Sequence, residues 1–135
     1  MDKRARLAQI GHMSESKAMM AFAQDLLSEM GAVDVKRFFG GAGIYAGPVM
    51  FGLIAGGTIY LKTDEPLRRD MAAEGAVPWL YAPRRGADAG VPQETHYLSL
   101  PPAAEDDPEE ACAWGRRALA VAEAARAAKP KRRRG

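Results

Sequence analysis

Val49-Met50-Phe51-Gly52-Leu53-Ile54-Ala55-Gly56-Gly57-Thr58-Ile59-Tyr60-Leu61-Lys62 decides the fold. Two runs rich in β-branched and aromatic residues flank a Gly-Gly pair. Both glycines can take positive φ, which matches a two-residue turn to the right-handed twist of its strands. The pair therefore predicts a tight antiparallel hairpin. Upstream, Val33-Asp34-Val35-Lys36-Arg37-Phe38-Phe39 has strand composition, Ile44-Tyr45 follows, and Ala46-Gly47-Pro48 makes a corner before the hairpin. The reading over 33–62 is an antiparallel meander of three or four strands.

Helices flank the meander. Over 14–30, Met19, Phe22, Ala23, Leu26, Leu27 and Met30 recur at three- and four-residue steps and share one face. Ser14 or Ser16 caps its start, and Gly31 stands at the left-handed position past its end. A short helix over 65–74 begins at Asp64-Glu65-Pro66, turns Leu67 and Met71 inward and closes at Gly75. Trp79-Leu80-Tyr81-Ala82 reads as a strand, and 83–93 as a mobile loop. Thr95 to Leu100 alternates, with His96, Leu98 and Leu100 on one side and Thr95, Tyr97 and Ser99 on the other. Asp107-Pro108-Glu109-Glu110 predicts a capping box at the head of a long helix. That helix carries a stripe of Ala111, Trp114, Ala118, Ala122 and Ala125, with Leu119 beside it, and stops before Lys129-Pro130. The fold class is α+β: an antiparallel sheet packed with an N-terminal, a short middle and a long C-terminal helix.

The chain has 135 residues, 47% apolar and 27% charged, which is one domain's worth. Its formal charge of +2 conceals an uneven distribution. Residues 129–135 hold five cations, and residues 1–12 hold three against Asp2, leaving 11 basic and 16 acidic residues, net −5, between them. An acidic body wears basic ends, so a nucleic-acid argument rests on the tail alone. Residues 1–13 read as a disordered appendage or tag, in which Gly11-His12-Met13 is a cloning scar or Met13 an internal start. Residues 14–128 form the domain, and 129–135 a disordered basic tail. The single cysteine, Cys112, precludes an intramolecular disulfide and a cysteine-held zinc. No stretch approaches the roughly 18 apolar residues of a membrane span. A cytoplasmic protein without cofactor or metal is expected.

Gly41-Ala42-Gly43-Ile44-Tyr45-Ala46 matches G-x-G-x-x-[GA], the dinucleotide fingerprint. That motif needs a helix next, so that pyrophosphate meets its N-terminus. Gly47-Pro48 and a strand run follow instead, so the glycines read as a bend or bulge between strands. His96 and Cys112 are candidates for a small nucleophilic site, since a thiol in a first helical turn feels the dipole. The competing reading is a buried cysteine and a structural histidine. Arg68-Arg69 and Arg84-Arg85 suit an anion or plain solvated surface. Glu105, Asp106, Asp107, Glu109 and Glu110 cluster at a helix start, where capping accounts for them. Lys129, Lys131, Arg132, Arg133 and Arg134 would add salt-dependent nucleic-acid contact, with a slope of about −4.5 for five neutralised phosphates.

Lys36-Arg37-Phe38-Phe39-Gly40-Gly41-Ala42-Gly43-Ile44-Tyr45 resembles the R-x-M-F-G-G-x-G-[IL]-Y segment of the TfoX (Sxy) N-terminal domain family, with Phe38 in place of methionine. Met50-Phe51-Gly52-Leu53-Ile54 and Ile59-Tyr60-Leu61-Lys62 are similar to the family's next two strands. Pro78-Trp79-Leu80-Tyr81, Tyr97-Leu98-Ser99-Leu100-Pro101 and Trp114-Gly115-Arg116-Arg117-Ala118 resemble its later elements, in the same order. The resemblance covers about residues 16–126. It implies a secretion-chaperone-like α+β fold that often dimerises, and a non-enzymatic co-regulator of competence (DNA-uptake) genes acting with a transcription factor. Full-length members carry a second, helical domain, where this sequence has the basic tail. The resemblance assigns no catalytic residues. The docking surface is expected on the exposed sheet face or at the corner of Phe39, Gly40, Gly41, Gly43 and Tyr45.

Overall fold

The computed structural model describes residues 16–38 and 40–128. The expectations for residues 1–13, Phe39 and 129–135 lie outside the described residues. The chain runs α1 (Lys17–Leu26), β1 (Asp34–Phe38), β2 (Gly41–Ala46), β3 (Val49–Ala55), β4 (Thr58–Lys62), α2 (Glu65–Ala73), β5 (Pro78–Tyr81), β6 (Gln93–Ser99) and α3 (Pro108–Ala128). Six strands form one antiparallel sheet in the order β1-β2-β3-β4-β6-β5. The fold class is α+β, as the sequence predicts.

The meander holds four strands. Gly56 and Gly57 take φ of 58° and 78°, the geometry a two-residue hairpin demands. After β4 the chain crosses by way of α2 and lays β5 on the far side of β6. Pro78 has no N–H to offer the ladder, and β5 shifts register between Pro78 and Leu80. The Ser99 hydroxyl accepts from the Val77 N–H at 3.0 Å just ahead of that break.

One sheet face packs the helices. Ile44, Phe51, Ile54, Ile59, Leu61 and Leu98 meet Leu26, Leu27, Leu67, Met71, Ala111, Ala118 and Ala122, all buried. Alanines let α3 lie close to β3 and β4. Gly115 lets α3 pack against the segment that follows α1: a Cβ there would sit 2.6 Å from Met30 Sδ.

Three local expectations need correction. The first helix is not continuous to Met30: it ends at Leu26, and Ser28–Met30 tighten into one 3₁₀ turn. The Ser28 hydroxyl donates to the Asp25 carbonyl at 2.8 Å, and α3 takes two more carbonyls. Cys112 Sγ donates to the Leu26 carbonyl at 3.5 Å, and Arg116 to that of Glu29 at 3.1 Å. Three residues per 3₁₀ turn stack Leu27 and Met30 together over Gly115. Gly31 has positive φ (113°), but its ψ of −145° is not the left-handed helical cap.

The head of α3 is capped, though not by a reciprocal box. Asp107 Oδ1 accepts from the Glu109 and Glu110 N–H groups at 3.1 and 3.3 Å. Glu110 instead reaches forward, and Trp114 Nε1 donates to it at 3.2 Å. Finally, the buried stripe of α3 is Ala111, Cys112, Gly115, Ala118 and Ala122. Trp114 is only half-buried and Ala125 is exposed. A 21-residue helix over a twisted sheet keeps contact along a narrow line, so residues at its flanks reach solvent. Ser16 and Asp64 cap α1 and α2 as expected, each accepting an N–H at 3.0 Å.

Candidate functional site

Register decides which side chains share the opposite face. Residues directly paired across antiparallel strands point to the same side. Lys36 pairs with Gly43, Gly43 with Leu53 and Leu53 with Tyr60. Tyr45 pairs with Met50, and Lys62 with Tyr97. Trp79 joins this side through ring contacts with Tyr60, Tyr81 and Tyr97 at 6.2, 5.9 and 6.3 Å. Among the described residues no helix covers this face. It carries Phe38, Tyr45, Tyr60, Trp79, Tyr81 and Tyr97, while among the described residues Phe51 is the one fully buried aromatic of the helix-packed core and Trp114 packs at its margin.

The face is built around its glycines. A Cβ on Gly43 would lie 2.8 Å from Tyr45 Cε1 and 3.2 Å from Met50 Sδ, so the Tyr45 ring lies over the bare backbone. Lys36 Nζ stands 5.1 Å from the centre of that ring, and Lys62 Nζ 5.6 Å from that of Tyr97. Cations over aromatic faces attract the ring quadrupole. Leu53 is 6% exposed and lies between Gly43 and Tyr60 in the register. Burial pushes the Tyr60 and Tyr97 phenols above their ordinary range. The Thr58 hydroxyl pulls Tyr60 partly back, while the Tyr45 phenol pushes Tyr97 further up.

The expected corner lies at one end of this face. Gly40 makes the β1–β2 turn with φ 83°, a conformation costly for any side chain. Gly41 opens β2 beside the Ile54 carbonyl oxygen, where a Cβ would collide with backbone. Gly43 and Tyr45 follow on the open face, and Phe39 lies outside the described residues. The glycines therefore serve close packing in a strand, with a register shift between Ile44 and Tyr45, and no helix N-terminus follows them.

The other candidates do not converge. Cys112 is sealed under the Leu26 carbonyl. His96 is exposed in a groove of about 460 Å³ with Val121 and Ala124, 12 positions further along α3, or about 18 Å of helix rise. The cysteine–histidine pairing is therefore not formed. Arg68 donates to the Thr95 carbonyl and to Glu94 at 3.1 and 2.7 Å, tying α2 to β6. Arg69, Arg84 and Arg85 are exposed. Among the described residues no three His, Cys, Asp or Glu side chains gather as a metal site, and no helix is long and apolar enough to cross a membrane. The tail cations Lys129, Lys131, Arg132, Arg133 and Arg134 lie outside the described residues.

The structure brings Tyr60, Trp79 and Tyr97 together, a convergence the sequence reading does not contain. Its signal stood in the alternation of Thr58-Ile59-Tyr60-Leu61-Lys62 and Thr95 to Leu100, which sets both tyrosines opposite the aliphatic residues. No curated protein matches the chain. The family model described as TfoX N-terminal domain matches residues 25–122, from the end of α1 through the buried stretch of α3. With well over half of its length matched and every strand inside the match, this chain belongs to the TfoX N-terminal domain family.

Proposed function

We propose that the domain is a non-enzymatic regulatory module that works by docking on its open sheet face and the adjoining Gly40–Gly41 corner. The observation that carries this reading is the placement of six of the chain's ten aromatic residues on the face no described helix covers. Rings with polar tips suit surfaces that are alternately wet and covered. At the corner, the positive φ of Gly40 and the backbone approach at Gly41 fix the shape presented to a partner. Family membership supports a regulatory, interaction-type domain. The finer reading is a cytoplasmic co-regulator of competence genes that meets a transcription factor, or a second copy of itself, at this corner.

The test is genetic and physical together. A host strain lacking the chain is complemented with the wild type or with Gly40→Val and Tyr45→Ala variants whose far-ultraviolet dichroism is unchanged. Expression of DNA-uptake genes should rise with the wild type and not with the variants. Equal expression in all strains overturns the reading.

A second reading is accessory nucleic-acid contact through Lys129, Lys131, Arg132, Arg133 and Arg134. It is favoured by five cations in seven residues beside a net-acidic body. Truncation after Ala128 should then lower affinity and flatten its salt dependence, and an unchanged titration would remove this reading.

A further inference from the structure

The structure assigns the open face a second occupant class: single-stranded nucleic acid, with bases on Trp79, Tyr97 and Tyr60 and phosphates at Lys62 and Lys36. This rests on reading the face as the working surface, and names what one part of it holds.

Ring geometry comes first. Trp79 meets Tyr60, Tyr81 and Tyr97 at interplanar angles of 44°, 50° and 89°. None of these is a parallel stack, so no two of the rings cover each other face to face. Every base has a flat face to offer such a platform, and stacking of this kind tolerates any sequence. A duplex keeps its bases stacked on each other and shows only edges and backbone, so the platform selects single strands.

Charge comes second. The body is net acidic, yet the acids avoid this face. Asp25, Glu29, Asp64, Glu65, Asp70, Glu74, the Glu105–Glu110 cluster and Glu123 sit on the helices, their caps and their connections, and Asp88 sits in the loop between β5 and β6. Glu94 of β6 is paired with Arg68 of α2. Asp34, opposite Tyr45, is the one strand carboxylate whose register points it to the open side. Lys36 and Lys62 form no ion pair among the described residues and rest over tyrosine rings. Their flexible stems can carry each ammonium from ring to phosphate as a base takes its place. A second copy is the poorer occupant. A two-fold interface presents the face to itself, and on that face Asp34 is the one strand carboxylate available to meet the lysines of the other copy.

Dimensions come third. Strands spaced about 4.8 Å apart put the six-stranded face at roughly 24 Å across, room for about four extended nucleotides. The step from β4 to β1 is three spacings, about 14 Å, so Lys62 and Lys36 would hold phosphates two or three nucleotides apart. RNA and DNA share this chemistry, and the test separates them.

The full chain is titrated into labelled oligo(U), oligo(dT) and a duplex, each of about 12 nucleotides, with fluorescence anisotropy as the readout. Single strands should bind more tightly than the duplex. A 2′-hydroxyl contribution would show as oligo(U) exceeding oligo(dT). Trp79→Leu with Tyr97→Leu should weaken single-strand binding about 5- to 100-fold. Lys36→Gln and Lys62→Gln should each flatten the salt slope by about 0.7. Tyr60→Phe with Tyr97→Phe keeps the rings and should bind like the wild type, which holds the test open if the leucine variant unfolds. Truncation after Ala128 should lower affinity but leave the single-strand preference. Equal binding to strand and duplex, no binding, or unchanged affinity in the leucine or both lysine variants overturns the proposal. So does a dimer in sedimentation that Tyr97→Glu dissociates, which would name the second copy as occupant. If the oligonucleotides fail while corner variants still abolish gene expression, this inference falls and the docking reading stands.

Discussion

The two faces of the sheet are built from different chemistry. The helix-packed side is aliphatic: Ile44, Ile54, Ile59, Leu61 and Leu98 interlock with alanines and leucines and carry no polar atoms. The open side has four tyrosines, a tryptophan and two lysines folded over rings. Burying a leucine or isoleucine supplies about 1.5–3 kcal/mol, so the first side holds the fold together. Aromatic pairs add only about 0.5–1.5 kcal/mol beyond their area, and they leave polar tips in contact with water. Stability and recognition are thus assigned to opposite sides of one layer, and either can change with little effect on the other.

The largest expected effect tests that division directly. Leu61→Ala on the covered side should cost about 2–5 kcal/mol in urea denaturation. Tyr97→Leu on the open side should cost about 1 kcal/mol or less. Equal losses would break the comparison. The two motif glycines sharpen it next. Gly41→Ala drives a Cβ into the Ile54 carbonyl, which is backbone and yields poorly. Gly43→Ala meets the Tyr45 ring and Met50 Sδ, which can swing away. Overpacking costs about 1–3 kcal/mol, with Gly41→Ala expected at the upper end and Gly43→Ala below it. A reversed order in thermal melts would show that the open-face rings are held as firmly as the core.

Smaller still is the cap on α3. Asp107→Ala should cost about 1 kcal/mol, measured as a lowered melting temperature with the fold retained. The smallest effect is a pH dependence carried by two tyrosines of the open face. Tyr60 and Tyr97 have folded pKa values raised above the unfolded value near 10. The folded state then holds protons that the unfolded state releases, so stability is full below about pH 10 and declines as pH rises through the folded values. Tyr97→Phe should reduce that alkaline decline and leave the neutral-pH stability nearly unchanged. A decline identical to the wild type's would place its origin elsewhere.

Much of the covered side was legible because its signals are local. Gly56-Gly57 fixes the hairpin through its own φ preference, and Asp64 and Asp107 mark helix starts through their own side chains. The break in the first helix was not legible. It depends on Cys112 and Arg116 taking carbonyls of Leu26 and Glu29, contacts across 86 and 87 positions. The aromatic face was half legible. Alternation assigns Tyr97 to the polar side of its strand, but the meeting of Trp79 with Tyr60 and Tyr97 needs strand order. With β5 laid beyond β6, two tyrosines from separate strands come within reach of one indole. The corner was found by motif, and its physical reason, the Ile54 carbonyl under Gly41, lies on another strand.

Those contacts between α1 and α3 also set an order of events during synthesis. The carbonyls at the end of α1 stay with water until a segment nearly 90 positions later has left the ribosome. Contacts so distant in sequence carry a high loop-closure cost and form late. The meander can assemble first from near neighbours, with its aliphatic side exposed to chaperones until α3 arrives. A chain stalled before Pro108 would leave that side bare and prone to aggregate, which makes α3 the element that ends the domain's vulnerability as well as its last turn of helix.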